Sequence, residues 1–457
     1  MELKLHPYQE RAVDLTVKHG AVYHMLDAGL GKTCISLKAI ERIGRPALVF
    51  GPKLAVLHTW PEEIAKWTPH LSYTVLHGKN KDWKAQQAAG CDITLLNYDG
   101  FKWFFDACAQ KKFKLRKFFT VFDESSMIRY NGWETKTGRL TRFGRVAKMM
   151  PIYSNYRICL SATPIPKGLI DLWGQYYVLD KGKRLGRSFY VFRDKYFNFS
   201  GHPHYKTTLK PGAADRIFDA IRDCTFQLNA EDHLDMPSLT QTVVRLPMTG
   251  KLKKYYEALE ADYIVDVEGD TIVSCSQAVN DHKLRQLLQG GVYSERGTCL
   301  LKSPSKVEYL KEYVRVAGGQ PTLAAIQFRF EYELICKEFN YEVPIIYGGQ
   351  SAEKSAQYIK QWNKGKLPLL LVHPGSVKFS LNLQAGGSRI VWLALPWSYE
   401  DYYQLLRRLY RQGQQRGVTS HIVCFKDTID EKVAKVLKMR AFMDTKLKTA
   451  MGKGGLK

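Results

Sequence analysis

The chain has 457 residues, 45% of them hydrophobic, and its 68 Lys and Arg outnumber 44 Asp and Glu for a formal charge of +24. That length suits two domains with full cores, and the charge excess favours a polyanionic partner through phosphate contacts, with solubility alone as the plainer explanation. No apolar run is long enough to span a bilayer, MELKLHPYQE carries no signal peptide, and nine scattered Cys without a CxxC pair support neither a disulfide framework nor a zinc knuckle, so a soluble protein of a reducing interior is expected.

Residues 3–19 begin with a Pro-containing turn and continue as an amphipathic helix with Ala12, Leu15 and Thr16 on one side. Gln9 in this segment fits either a surface helix position or an amide pairing with an adenine edge. The β-prone run Ala21-Val22-Tyr23 then leads through a Gly-rich turn to Gly31-Lys32-Thr33, which opens a helix. This is built like a phosphate-binding loop: backbone N–H groups point at an anion, Lys32 reaches β/γ-phosphates, and the Thr33 hydroxyl ligates Mg²⁺. The pattern GxxxxGK[ST] wants Gly at position 26, where the chain has Leu26. Alone, that departure leaves an ordinary Gly-rich strand-to-helix turn equally open.

Ala47-Leu48-Val49-Phe50 reads as a buried strand, followed by a helical segment with Trp60, Ile64 and Trp67; Ile93 to Tyr98 reads as another strand ending at Asp99-Gly100. Between Lys102 and Lys117, interleaved basic and aromatic residues suit either a nucleic-acid surface or a solvated helix with a buried aromatic face. The strand Phe118 to Phe122 closes on Asp123-Glu124-Ser125-Ser126. Carboxylates at the carboxyl end of a parallel strand stand where ligands bind in open α/β sheets, Asp123 to hold Mg²⁺ and Glu124 to activate water; the plainer reading is a helix N-cap and its neighbour. A further strand, Arg157 to Leu160, ends in Ser161-Ala162-Thr163-Pro164, whose hydroxyls either sense a γ-phosphate or form a turn.

From Asp180 to about Ser238 periodicity weakens, and a basic loop region is expected, with His202 and His204 a poor metal pair. A domain boundary is placed around Leu234 to Pro237, with a helical stretch from Gly250 to about Val265 beginning the second half. Strand-like Thr322 to Ile326, Val343 to Tyr347, Leu369 to Val372 and Ile390 to Leu393 renew the α/β alternation. Gln404 to Gly417 reads as basic helix, on which Arg407, Arg408 and Arg411 either face solvent or DNA, or, for Arg408 and Arg411, reach the phosphate loop.

Taken in order, these segments resemble the motifs of superfamily II helicase-type ATPases of the Swi/Snf-like branch, in a compact form of the kind seen in bacteriophages. LHPYQERAV resembles the Q motif, DAGLGKT motif I, LVFGPKLAVLHTWPEEIAKW motif Ia, ITLLNYDGF motif Ib, FDESS motif II and CLSATPIPKGLIDLW motif III. KLRQLLQGGVY and Lys306 resemble the interdomain region, SLNLQAGGSRIVWLALPW motif V and QLLRRLYRQGQ motif VI. The resemblance implies an α/β fold of two RecA-like domains, 1–234 with a basic insertion near 180–230 and 235–457, each a mainly parallel sheet flanked by helices, with ATP in the cleft between them. It implies Gln9 at the adenine, Gly29, Leu30, Gly31, Lys32 and Thr33 at the phosphates, and Thr33 and Asp123 at Mg²⁺. It makes Glu124 the catalytic base, Arg408 and Arg411 the arginine fingers, and Ser161, Thr163, Asn382, Gln384 and Gln404 coupling residues. Asp27-Ala28 replaces the usual acidic-Met pair, and Ser380 the usual Gly before LNL, where a positive φ would strain Ser.

The function so implied is a DNA-stimulated ATP hydrolase that moves on duplex or branched DNA through phosphate contacts, remodelling forks or recombination junctions by branch migration, as a monomer in the cytoplasm of a bacterial host. A single-strand or RNA helicase, and a DNA-binding scaffold with an inactive ATPase site, are the alternatives.

Overall fold

Short apolar runs buried on both faces form the centre of each half of the chain. The computed structural model describes residues 4–78, 90–110, 118–130, 133–134, 139–200, 206–248, 250–301, 305–376 and 381–456. They divide into two units, Met1–Leu234 with Arg440–Lys457, and Asp235–Met439. Among them no helix is long and apolar enough to cross a membrane.

The first unit contains β1 (Ala21–Leu26), β2 (Ala47–Gly51), β3 (Tyr73–Val75), β4 (Ile93–Asn97), β5 (Phe118–Asp123), β6 (Ser154–Ser161), the antiparallel pair β7 (Phe197–Ser200) and β8 (Lys206–Leu209), and β9 (Thr225–Leu228). Seven of these make one sheet in the order β3-β4-β2-β5-β6-β1-β9, every neighbouring pair parallel. β2, β4 and β5 are buried along their whole length, as expected of strands covered by helices on both faces. Since β5, β6 and β1 are adjacent, their carboxyl ends bring together three segments far apart in sequence. Asp123 aligns with Leu160 and Met25 with Ser161, so the three strand ends are level to within about one residue rise of ~3.3 Å.

The second unit holds β10 (Leu239–Leu246), the antiparallel pairs β11 (Ile264–Val267) with β12 (Asp270–Val273) and β13 (Gly291–Ser294) with β14 (Gly297–Leu300), then β15 (Thr322–Ala325), β16 (Ile345–Ile346), β17 (Leu369–Val372), β18 (Arg389–Trp392) and β19 (Val418–Phe425). Its sheet runs β10-β19-β18-β15-β17-β16, again wholly parallel. Leu310, Ile335, Leu371 and Val391 are among the buried residues of its core.

Three expectations need correction. The region near 180–230 is not a loop insertion: the helices Phe189–Tyr196 and Ala213–Ile221, the β7/β8 hairpin and β9 occupy it, and β9 pairs with β1. Phe192, Tyr196, Phe197 and Phe218 of this region pack into the first unit's core. Gln404 to Gly417 is not one helix, because the helix Tyr399–Leu406 ends before the arginines and the chain turns instead. Finally, Arg440–Lys457 belongs with the first unit, since Leu447 and Met451 lie in that core. His202, His204, Ser380 and the segment 111–117 lie outside the described residues.

Candidate nucleotide site

The Gly-rich turn follows from where β1 stops. Leu26, at the position where the Walker pattern asks for Gly, is the last residue of β1 and fully buried, so here that position belongs to the strand and needs no turn residue. The turn itself needs two glycines: Gly29 and Gly31 have φ of 94° and 78°, in the left-handed region. A Cβ on Gly31 would also lie 2.4 Å from Gln9 Nε2 and 2.8 Å from Cys34 Sγ. The helix Lys32–Ile43 starts directly after Gly31 without a side-chain cap, leaving its first N–H groups available to an anion.

Gln9 is a buried residue against this loop rather than a surface one. Its Nε2 donates to the Leu30 carbonyl at 3.3 Å, while its Oε1 accepts from the His6 N–H at 2.9 Å. Lys32 bends back over its own loop, Nζ donating to the carbonyls of Leu26 at 3.1 Å and Asp27 at 3.4 Å. Both acceptors are neutral carbonyls, so the ammonium can exchange them for charged phosphate oxygens, which bind it more strongly.

Asp123 closes β5 and is 8% exposed. Burial pushes its carboxyl above the usual range, and the Trp60 indole N–H, 3.0 Å from Oδ2, and the nearby Lys32 ammonium pull it back. Its backbone carbonyl accepts from the Tyr98 hydroxyl at 2.8 Å. Glu124 adopts φ 49° and ψ 58°, left-handed backbone that an L side chain enters at a cost of about 1–2 kcal/mol. Strain of that kind marks residues whose direction is imposed by their surroundings.

Ser161 and Thr163 differ in what they do. The Ser161 hydroxyl accepts from the Thr163 N–H at 3.1 Å, which shapes the turn after β6, whereas Thr163 is fully buried and its hydroxyl has no partner among the described residues. Gln175, which sequence reasoning did not single out, joins these strand ends. Its Oε1 accepts from Tyr23 at 2.6 Å and Ser125 at 2.9 Å, and its Nε2 donates to the carbonyls of Pro164 at 2.7 Å and Asp171 at 2.9 Å. Trp60, Tyr98 and Gln175 carried no local signal, because each acts on a residue tens of positions away.

The second unit gathers its own cluster. Arg411 Nη1 donates to Asn382 Oδ1 at 2.6 Å, and Arg408 donates to the Leu381 carbonyl at 3.4 Å and to Gln404 Oε1 at 3.3 Å. Gln414, a further residue not anticipated, is buried and donates to the carbonyls of Gln384 at 2.8 Å and Gly387 at 2.9 Å. The arginines and the 381–387 segment are thus one hydrogen-bonded assembly, and the Asn382 carbonyl extends it to Asn363 Nδ2 at 2.9 Å. Among the described residues no group of three or more His, Cys, Asp and Glu is placed to hold a metal unaided.

Two parallel-sheet units, one with a glycine-turned phosphate loop beside an acidic strand end, define the class: a helicase-type ATPase built from two RecA-like domains. Residues 8–292 match the SNF2-related domain and 305–413 the helicase conserved C-terminal domain, and the chain belongs to the SNF2 family. It is 29% identical to protein p41 of Acyrthosiphon pisum secondary endosymbiont phage 1, over 93% of this chain and 94% of that one. It is 23% identical to the ISWI chromatin-remodeling complex ATPase CHR17 of Arabidopsis thaliana, over 89% of this chain but 38% of the relative. The Sulfolobus solfataricus SWI2/SNF2 ATPase core in complex with dsDNA is 22% identical, over 98% of this chain and 94% of that one, with a TM-score of 0.45.

Proposed function

We propose that this protein hydrolyses ATP in response to DNA and uses the cycle to move on duplex or branched DNA. The observation that carries this reading is that β5, β6 and β1 are adjacent and parallel, so that the segments bearing Thr163 and Lys32 leave the sheet at the same edge as Asp123. Membership of the SNF2 family supports ATP as the nucleotide, and the charge of +24 supports a polyanion as the partner.

In this reading Gln9 contacts the adenine, and the N–H groups from Gly29 through Gly31 to Thr33, with the Lys32 ammonium, hold the phosphates. The donor set suits Mg²⁺, which takes oxygen ligands from one or two protein groups together with nucleotide phosphates; Thr33 and Asp123 would hold it. Bound there, the ion would neutralise charge on the phosphates. Glu124 orients the attacking water and takes its proton. Arg408 and Arg411 supply charge to the transition state, and DNA stimulates the turnover. Ser161, Thr163, Asn382, Gln384 and Gln404 couple the two events. The resulting motion remodels forked or junction DNA, and the protein acts as a monomer.

The test is ATP turnover against duplex, four-way junction, single-stranded DNA and RNA at several salt concentrations. Duplex or junction is expected to stimulate most, with stimulation falling steeply as salt rises. Strongest stimulation by RNA or single strands would replace the substrate assignment. Turnover that persists in Lys32→Ala would remove the site assignment.

A further inference from the structure

Asp27 stands directly after β1, at the start of the turn that leads to Lys32. Its backbone carbonyl accepts from Lys32 Nζ at 3.4 Å and from the Leu30 N–H at 3.5 Å, so the position of this residue sets where the Lys32 ammonium rests. Its side chain is held from elsewhere in the unit. Oδ2 accepts from the Ala230 N–H at 3.1 Å, and Oδ1 lies 2.8 Å from the ammonium of Lys448, near the end of the helix Ile429–Gly454. Lys448 also pairs with Asp444 at 2.9 Å, one turn earlier.

All three groups are buried: Asp27 is 4%, Lys448 7% and Asp444 2% exposed. Two carboxylates share one ammonium in a place with little water. Without that ammonium they would face each other unscreened, a situation relieved only by protonation or by displacement of Asp27. The segment bearing Lys448 is itself anchored, through Leu447 and Met451 in the core and the Leu456 N–H on the Thr225 carbonyl at 2.9 Å. Asp444 cannot easily follow a shift, so Asp27 and its loop are the part that yields.

We infer that Lys448 is a positioning residue for the phosphate loop: through Asp27 it holds the carbonyls under Lys32 and thereby sets the affinity for nucleoside triphosphate. This rests on the reading of that loop as the ATP site. The C-terminal segment is then part of the nucleotide-binding apparatus, although it lies more than 400 residues along the chain from the loop that it supports.

The full-length protein titrated with a fluorescent ATP analogue and Mg²⁺ tests the inference. Lys448→Met is expected to weaken binding about tenfold or more, with turnover at saturating ATP reduced less than about threefold, and Lys448→Arg to recover most of the affinity. Unchanged affinity in Lys448→Met, with only a lowered melting temperature, would mean that the triad merely fastens the C-terminal segment. Should Lys448→Met not fold, Lys448→Gln carries the same expectation at smaller size, and wild-type affinity in it overturns the inference. Lys32→Ala measured alongside separates the two levels. If it too binds normally, the ATP site has been misassigned; if it alone fails to bind, only the role of Lys448 falls.

Discussion

Single residues around Asp123 carry the sharpest consequences. Its carboxyl is raised by burial and restrained by the Trp60 N–H, so Trp60→Phe, which keeps an aromatic side chain of smaller size and loses the donor, removes a charge-assisted bond of about 1.5–3 kcal/mol. Because Asp123 is proposed to hold Mg²⁺ as the carboxylate, its pKa rises further in the variant and the acid limb of the turnover profile moves to higher pH. The Mg²⁺ concentration for half-maximal rate should rise about tenfold. A pH–rate profile and Mg²⁺ dependence matching wild type would show that the Trp60 bond has no bearing on the acid. Lys32, Thr33, Asp123 and Glu124 could be proposed from the sequence because each pair is contiguous and sits beside a readable strand end. Trp60 and Gln175 were not, since their hydrogen bonds span 63 residues to Asp123 and 152 residues to Tyr23.

At the scale of elements, the strands that were named lie within a few residues of those found, whereas β3, β9, β10 and β19 went unnamed and the basic helix was drawn too long. The runs at Leu369 and Ile390 are short, apolar and buried in parallel sheet, which their brevity and the turn residues around them report in the sequence. The helix expected through Arg411 stops at Leu406 because Leu409, Gln414 and the arginines are claimed by contacts with other segments, which override local helix preference. The same contacts make the 381–387 segment sensitive to packing. A Cβ on Gly386 would stand 2.3 Å from the Trp362 carbonyl and 2.4 Å from its Cδ1, so Gly386→Ala should destabilise the fold by about 1–3 kcal/mol or more, read as a lower denaturant midpoint. An unchanged midpoint would contradict this packing. A second element-level effect concerns Glu331, buried where it accepts the N–H groups of Gln327 and Phe328 at 2.8 Å each. Burial raises its pKa to about 7, against the pull of those bonds and of Lys306 and Arg285. A carboxyl raised on folding binds its proton more tightly in the native state, so its contribution is full below the unfolded value near 4.5 and is lost as pH climbs through about 7. Melting temperature should therefore fall between pH 5 and 8 more in wild type than in Glu331→Gln; equal slopes would dismiss the effect.

For the molecule as a whole, order of motifs carried what no single motif could. A lone GLGKT after Leu26 left an ordinary turn open, and the parallel order of β5, β6 and β1 gave the loop its acidic neighbour. The C-terminal segment was illegible because nothing in Leu447, Lys448 and Met451 announces a partner at Asp27 or in the first unit's core. The central proposal is that ATP turnover depends on Arg411 as well as on Lys32. DNA-stimulated ATP turnover of wild type, Lys32→Ala and Arg411→Ala, each verified as folded by its melting curve, tests it most directly. Both variants are expected to lose stimulated turnover, Arg411→Ala by about a thousandfold or more while still binding ATP. Loss confined to Lys32→Ala, with Arg411→Ala turning over at the wild-type rate, would contradict it.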